Sequence, residues 1–88
     1  MFDKKKLEAG LENLSGLDFE LAEKRARSSG ETTPIISLSS KFQLHLAAIA
    51  LGENVNELKT MKIRDYNKML ATVSSWLFAD SDDDTPAA

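Results

Sequence analysis

At 88 residues the chain has room for one domain with a modest core, a size at which stability often comes partly from partners or self-association. It has no cysteine, which excludes disulfides and thiol chemistry. The formal net charge of −3 is concentrated at one end: Asp80, Asp82, Asp83 and Asp84 fall in the last nine residues, and without them ten acids face eleven bases. A body so close to neutral has no general pull on nucleic acid or acidic substrates.

The first segment, residues 3–14, carries Leu7, Leu11 and Leu14 at helical spacing. Gly10 inside it weakens the helix by roughly 1 kcal/mol relative to alanine. Its opening, Met1-Phe2-Asp3-Lys4-Lys5-Lys6, is charged with no apolar run behind it, so no signal peptide is expected. Ser15-Gly16 reads as a stop. Asp18 is then a good N-cap for a second helix over residues 19–29, with Phe19, Ala22, Glu23 and Ala26 at steps of three and four. Its acids, Glu20 and Glu23, come early and its bases, Lys24, Arg25 and Arg27, come late, which suits the helix dipole.

Gly30 ends that helix, and Pro34 forces Thr33 into an extended conformation. Ile35-Ile36 is compatible with a short extended piece, but two β-branched residues do not make a strand. Ser37 or Ser39 caps the third helix, which runs to Leu51 with Leu38, Phe42, His45, Leu46 and Ile49 along its apolar stripe; Gly52 stops it. Leu46 to Leu51 is the longest apolar run and falls far short of a bilayer span. Asn54-Val55-Asn56-Glu57 resembles a capping box and starts a short turn that Leu58 and Met61 dock on the core. The last helix covers residues 63–78, with Ile63, Tyr66, Leu70, Val73 and Leu77 on one stripe. The polar, acidic stretch 80–88 lacks large apolar groups and is expected to be a disordered tail. The fold expected is all-α: a small bundle of about four helices with one short connecting helical turn, in a single domain over residues 1–79.

Catalysis needs convergent polar groups, and the composition offers few. His45 is the one histidine and sits among Phe42, Leu44 and Leu46, where a packed or half-exposed histidine is the ordinary outcome. Ser28, Ser37, Ser39 and Ser40 have no histidine–acid pair at matching spacing. The run Asp82-Asp83-Asp84 lacks the alternating ligands and glycine of a calcium loop, and Gly10, Gly16, Gly30 and Gly52 form no phosphate loop. No enzyme, metal or cofactor is therefore expected. Lys59, Lys62, Arg64 and Lys68, with Tyr66 among them, could touch phosphates, and a small DNA-binding or regulatory protein is the alternative reading. Glu57 and Asp65 dilute that cluster, so the electrostatic term that dominates nucleic-acid binding is weak.

The more informative feature is an excess of large apolar residues. Met61, Tyr66, Met69, Trp76 and Phe78 add to the leucine stripes of a chain with little interior, and they are the expected partner-binding residues. Tyr66 and Trp76 are types favoured as interface anchors, although Trp76 could equally close the core. Leu38, Leu46, Ile49, Leu70, Val73 and Leu77 are assigned to the core.

Specific residues also carry a family resemblance. Leu17-Asp18-Phe19-Glu20-Leu21-Ala22-Glu23-Lys24-Arg25-Ala26-Arg27, followed by Gly30 and Thr33-Pro34, resembles the opening motif of the tail assembly chaperones of long-tailed bacteriophages and their prophages. Ser39-Ser40-Lys41-Phe42-Gln43, then Ala47-Ala48-Ile49-Ala50-Leu51-Gly52 and Val55-Asn56-Glu57-Leu58, is similar to the middle of that family. Asp65-Tyr66 and Val73 with Trp76-Leu77-Phe78 resemble its closing helix, with Tyr66 where Phe is frequent. The resemblance covers about residues 14–78. It implies a self-associating helical chaperone of the host bacterial cytoplasm, absent from the mature virion. Such a protein binds the tape measure protein, keeps it soluble, and yields it to the tail tube protein. Many relatives also have a longer, frameshifted form. A holdase of this kind needs adaptable apolar surface, which methionine supplies, and no active site.

Overall fold

A computed structural model describes residues 2–84, with side chains described for residues 2–79. The elements are α1 (Lys4–Glu12), α2 (Gly16–Ser28), a single 3-10 turn (Ile36–Leu38), α3 (Ser40–Leu51), α4 (Val55–Leu58) and α5 (Ile63–Asp84). There is no strand among the described residues, and the small all-α bundle read from the sequence is what the chain forms.

Helix α3 is the axis of the bundle; α1, α2 and α5 pack around it and α4 closes one end. Its burial follows from this position. Phe42, Leu44, Leu46, Ala47 and Ala48 are all buried, so the helix is apolar on most of its circumference rather than along one stripe. Helix α2 lays Ala22 and Ala26, both fully buried, against it, and the Phe19 and Phe42 rings meet at 4.7 Å with a 59° tilt. Helix α1 contributes Leu7 and Leu11 and crosses α3 at Gly10. A Cβ at Gly10 would lie 2.8 Å from the Ala50 carbonyl carbon, so only glycine permits this approach. The residue that weakens α1 locally is the one that lets it dock.

The helix ends are set by local chemistry. Asp3 caps α1, accepting from the Lys6 N–H at 3.1 Å. Ser15, not Asp18, is the N-cap of α2: its backbone is extended, and Asp18, three residues on, reaches back to accept from the Ser15 N–H at 2.9 Å. The helix therefore begins at Gly16, three residues before the expected start. Ser39 caps α3, its Oγ accepting from the Phe42 N–H at 3.1 Å, and Gly52 ends it in the left-handed region at φ 67°. Asn54 caps α4, accepting from the Asn56 N–H at 2.8 Å.

Three further expectations change. Leu38 is 62% exposed rather than core, because it belongs to the 3-10 turn that precedes the Ser39 cap and never joins the α3 stripe; Ile36 takes the buried place instead. The inner face of α5 is rotated from the expected one by roughly a quarter turn at 100° per residue. Met69 and Val73 are fully buried and Thr72 nearly so, while Ile63 is 75% exposed and Leu70 and Leu77 are half-buried. The rotation follows from α5 packing on α1, α3 and the 3-10 turn together rather than on one neighbour. Finally, α5 continues to Asp84 instead of ending at Phe78. The tail expected to be disordered, residues 80–88, lies outside the described side chains throughout and outside the described backbone from residue 85. Leu46 is buried as expected, and Ile49 is half-buried against the core.

Candidate functional site

The five residues expected to face a partner fall into three places. Met69 is fully buried in the core and cannot touch a partner; it lies on the inner face of α5, one turn before Val73. Trp76 is half-buried, and its indole Nε1 donates to Glu12 Oε2 at 2.7 Å, which ties the far end of α5 to the end of α1. Phe78 is 40% exposed on the outer side of that end. Tyr66 and Met61 come together at the opposite end, about 18 Å from Phe78 along the helix axis by the rise per residue. They share a shallow depression of about 210 Å³ with Ile63 and Lys59.

Three depressions adjoin at this corner between α4 and α5. Leu58, buried, pins α4 to the core from below. Met61 also lines a groove of about 650 Å³ with Phe2, Leu51 and Leu58, rimmed by Asp3, Glu53, Glu57 and Asp65 against Lys6 and Lys62. On its other side, Tyr66 and Lys59 also line a cleft of about 300 Å³ with Ser29, Ser40, Lys41, Leu44 and His45. The three depressions are thus continuous through Met61, Lys59 and Tyr66, with an apolar centre, a mixed-charge flank and a basic flank.

The basic residues read as a possible nucleic-acid patch do not share one face. Lys59 looks into the His45 cleft and Lys62 into the groove with Glu57 and Asp65. Lys68 lines a separate groove between α1 and α5 with Glu8. His45 is half-buried, and its pKa is held below the ordinary 6.5, first by burial and then by the positive charges of Arg25 and Lys59. Ser40 shares its cleft, but no hydrogen bond joins the two. Among the described residues no three histidine, aspartate or glutamate side chains gather as metal ligands, and no helix is long and apolar enough to cross a membrane.

The sequence reading missed Ile63, assigned to the helix stripe, although it stands in the first turn of α5 beyond the reach of the neighbouring helices. It also missed Leu17 and Leu21, both exposed and one turn apart on α2. Their signal was available: they lie opposite Ala22 and Ala26, so α2 has an apolar stripe on each face. Against family models, curated proteins and solved structures alike, the chain gives no match.

Proposed function

We propose that the chain is a non-catalytic protein-binding module, and specifically a phage tail assembly chaperone that holds the tape measure protein soluble and helps recruit tail tube subunits. On this reading it acts in the host cytoplasm, self-associates, and is left out of the virion. The observation that supports the binding role is the depression lined by Met61, Ile63 and Tyr66 with Lys59, where Ile63 is 75% exposed. A single exposed apolar residue is unremarkable, but here Met61 and Tyr66, half-buried on the core, flank Ile63 between two clefts, and that arrangement supports reading the corner as a contact surface. Burying these side chains would contribute about 1.5–3 kcal/mol each at most. Contacts of that size suit a chaperone that binds a long client through many copies and must later be displaced. The resemblance described above supplies the identity of the client.

Co-expression tests it. The chain should keep a cognate tape measure protein soluble and co-purify with it. Ile63→Glu should abolish both effects while leaving the circular dichroism spectrum unchanged. No rescue and no co-purification with the wild-type chain would sink the reading.

A further inference from the structure

The cleft on the basic flank has a property that the protein-binding reading does not use. Its charged lining is of one sign: Lys41 from α3 and Lys59 from the end of α4, with no carboxylate among the lining residues. In a body with ten acids to eleven bases, such segregation is a product of the fold, since the contributing residues come from separate elements. Several donors there are free. The Lys59 ammonium and the Ser40 and Tyr66 hydroxyls make no hydrogen bond among the described residues. The Lys41 ammonium, with three N–H groups, uses one on the Ser29 carbonyl at 2.8 Å, which fixes its position. Ser40 and Lys41 are the first two residues of α3, whose leading N–H groups lack intrahelical acceptors and carry the positive end of the helix dipole. Glu31 lies near enough to Lys41 to feel its charge, but its carboxylate already accepts from Ser39, Thr32 and Thr33.

We infer that this cleft is a binding site for a small phosphate-bearing anion, either inorganic phosphate or a small phosphate monoester. Lysines acting as point charges, in a cleft that hydroxyl-bearing residues also line, match a doubly charged phosphoryl group better than a flat carboxylate, which favours the arginine fork. The cleft, at about 300 Å³, admits such a group with a short organic stem and is too small for a duplex. The one-sign lining focuses the field at its centre. The positive surroundings of His45 are consistent with this, since both charges that perturb it, Arg25 and Lys59, are cations that an anion would offset. The inference is independent of the tape measure reading, and either can fail alone.

The test is a titration of the full chain with inorganic phosphate, followed by amide chemical shifts at constant ionic strength and about pH 7.5, where the second phosphate proton is largely lost. Saturable shifts are expected at Lys41, His45, Lys59 and Tyr66, with a rise in the His45 pKa as the site fills. Lys41→Ala with Lys59→Ala should weaken binding about tenfold or more, as expected for lost charge-assisted donors, and Lys68→Ala should not. Lys59→Gln alone, at an exposed position without partners, gives the same answer should the double variant unfold. Acetate at equal ionic strength should bind about tenfold more weakly, since it carries half the charge. Shifts that never saturate, equal binding of acetate, or unchanged affinity in the Lys59 variants would overturn the inference. Duplex DNA shifting Lys62, Arg64 and Lys68 alongside Lys59 would overturn it too, in favour of a nucleic-acid surface.

Discussion

The two connections that flank α3 solve the same problem differently. Each leaves large apolar side chains in solvent, Ile35 and Leu38 in the first and Ile63 beside the second, and each sends one apolar anchor into the core, Ile36 and Leu58 respectively. The α2–α3 connection adds a polar lattice. Glu31 accepts from the Ser39 hydroxyl and from the Thr32 and Thr33 N–H groups, Arg27 donates to the Thr33 carbonyl at 3.0 Å, and Gln43 donates to the Ser37 carbonyl at 3.0 Å. In the α3–α5 connection, which contains α4, the side-chain hydrogen bonds are local: the Asn56 N–H donates to Asn54 and the Thr60 hydroxyl to the Glu57 carbonyl at 2.6 Å. Among the described residues, no side-chain hydrogen bond ties residues 53–62 to another element. Hydrogen bonds fix direction where apolar contacts fix only position. The first connection is thus held closed along its length. The second is held by apolar contacts, Leu58 buried with Val55 and Met61 half-buried against the core beside it, and has clefts on either side.

That contrast can be broken experimentally, and the largest effects come from the anchors. Ile36→Ala and Leu58→Ala should each cost about 2–4 kcal/mol in urea unfolding, a large share of the stability of so small a domain. A loss below 1 kcal/mol at Leu58, by the same measure, would mean that α4 is held by something other than its anchor. Next comes Ser39→Ala, which removes the α3 cap and one partner of Glu31 and should cost about 1–2 kcal/mol. Asn54→Ala should cost only about 0.5–1 kcal/mol, because nothing beyond its own helix depends on it. If the two cap variants proved equal, the lattice would add nothing to the first connection. Ile35→Ser and Ile63→Ser should both leave stability within about 0.5 kcal/mol, as exposed positions do, and differ only in that the second weakens partner binding.

The smallest effects are those of pH. The hydrogen bonds from Ser39, Thr33 and Thr32 hold the Glu31 pKa below its ordinary 4.5. The unfolded chain therefore takes up this proton first, and the contribution is present above pH 4.5 and lost as pH falls through the lower native value. For His45, burial and the cations Arg25 and Lys59 favour the neutral form, so its pKa also lies below the ordinary 6.5. Its effect has the same sign: stability is present above pH 6.5 and declines below it as the unfolded chain protonates first. Acidification should therefore lower the urea midpoint in two steps, the earlier removed by His45→Gln and the later by Glu31→Gln. A rise in midpoint between pH 7 and pH 6 would contradict the His45 assignment.

The parts legible in the sequence were those fixed by near neighbours. Gly52 and Asn54 do what their types suggest, and Ser39 rather than Ser37 proves to be the α3 cap. Where two neighbours compete, the local signal divides: Ser15 and Asp18 are both capping types, and the structure uses both in one box with Ser15 as the cap. Tertiary geometry was not legible. Gly10 reads as a weakness until Ala50 is seen against it. Leu38 stands four residues before Phe42 and mimics a helix stripe that the Ser39 cap cuts off. The α5 face turned toward Met69 because several neighbours press on that helix, which no periodicity within it records. Of the residues expected to face a partner, Met61 and Tyr66 are half-buried against the core and line one depression, while Met69 is wholly buried. Ile63, between them, was hidden by a stripe assignment that its position in the first turn defeats.

The central claim is that the α4–α5 corner, not the Trp76–Phe78 end, is the binding face. Amide and methyl shifts of the labelled chain, titrated with an apolar helical segment of a cognate tape measure protein, test it most directly. The account predicts saturable changes centred on Met61, Ile63 and Tyr66, lost in Ile63→Glu. Changes centred on Phe78 and Trp76, or on Leu17 and Leu21, with the corner unmoved, would contradict it.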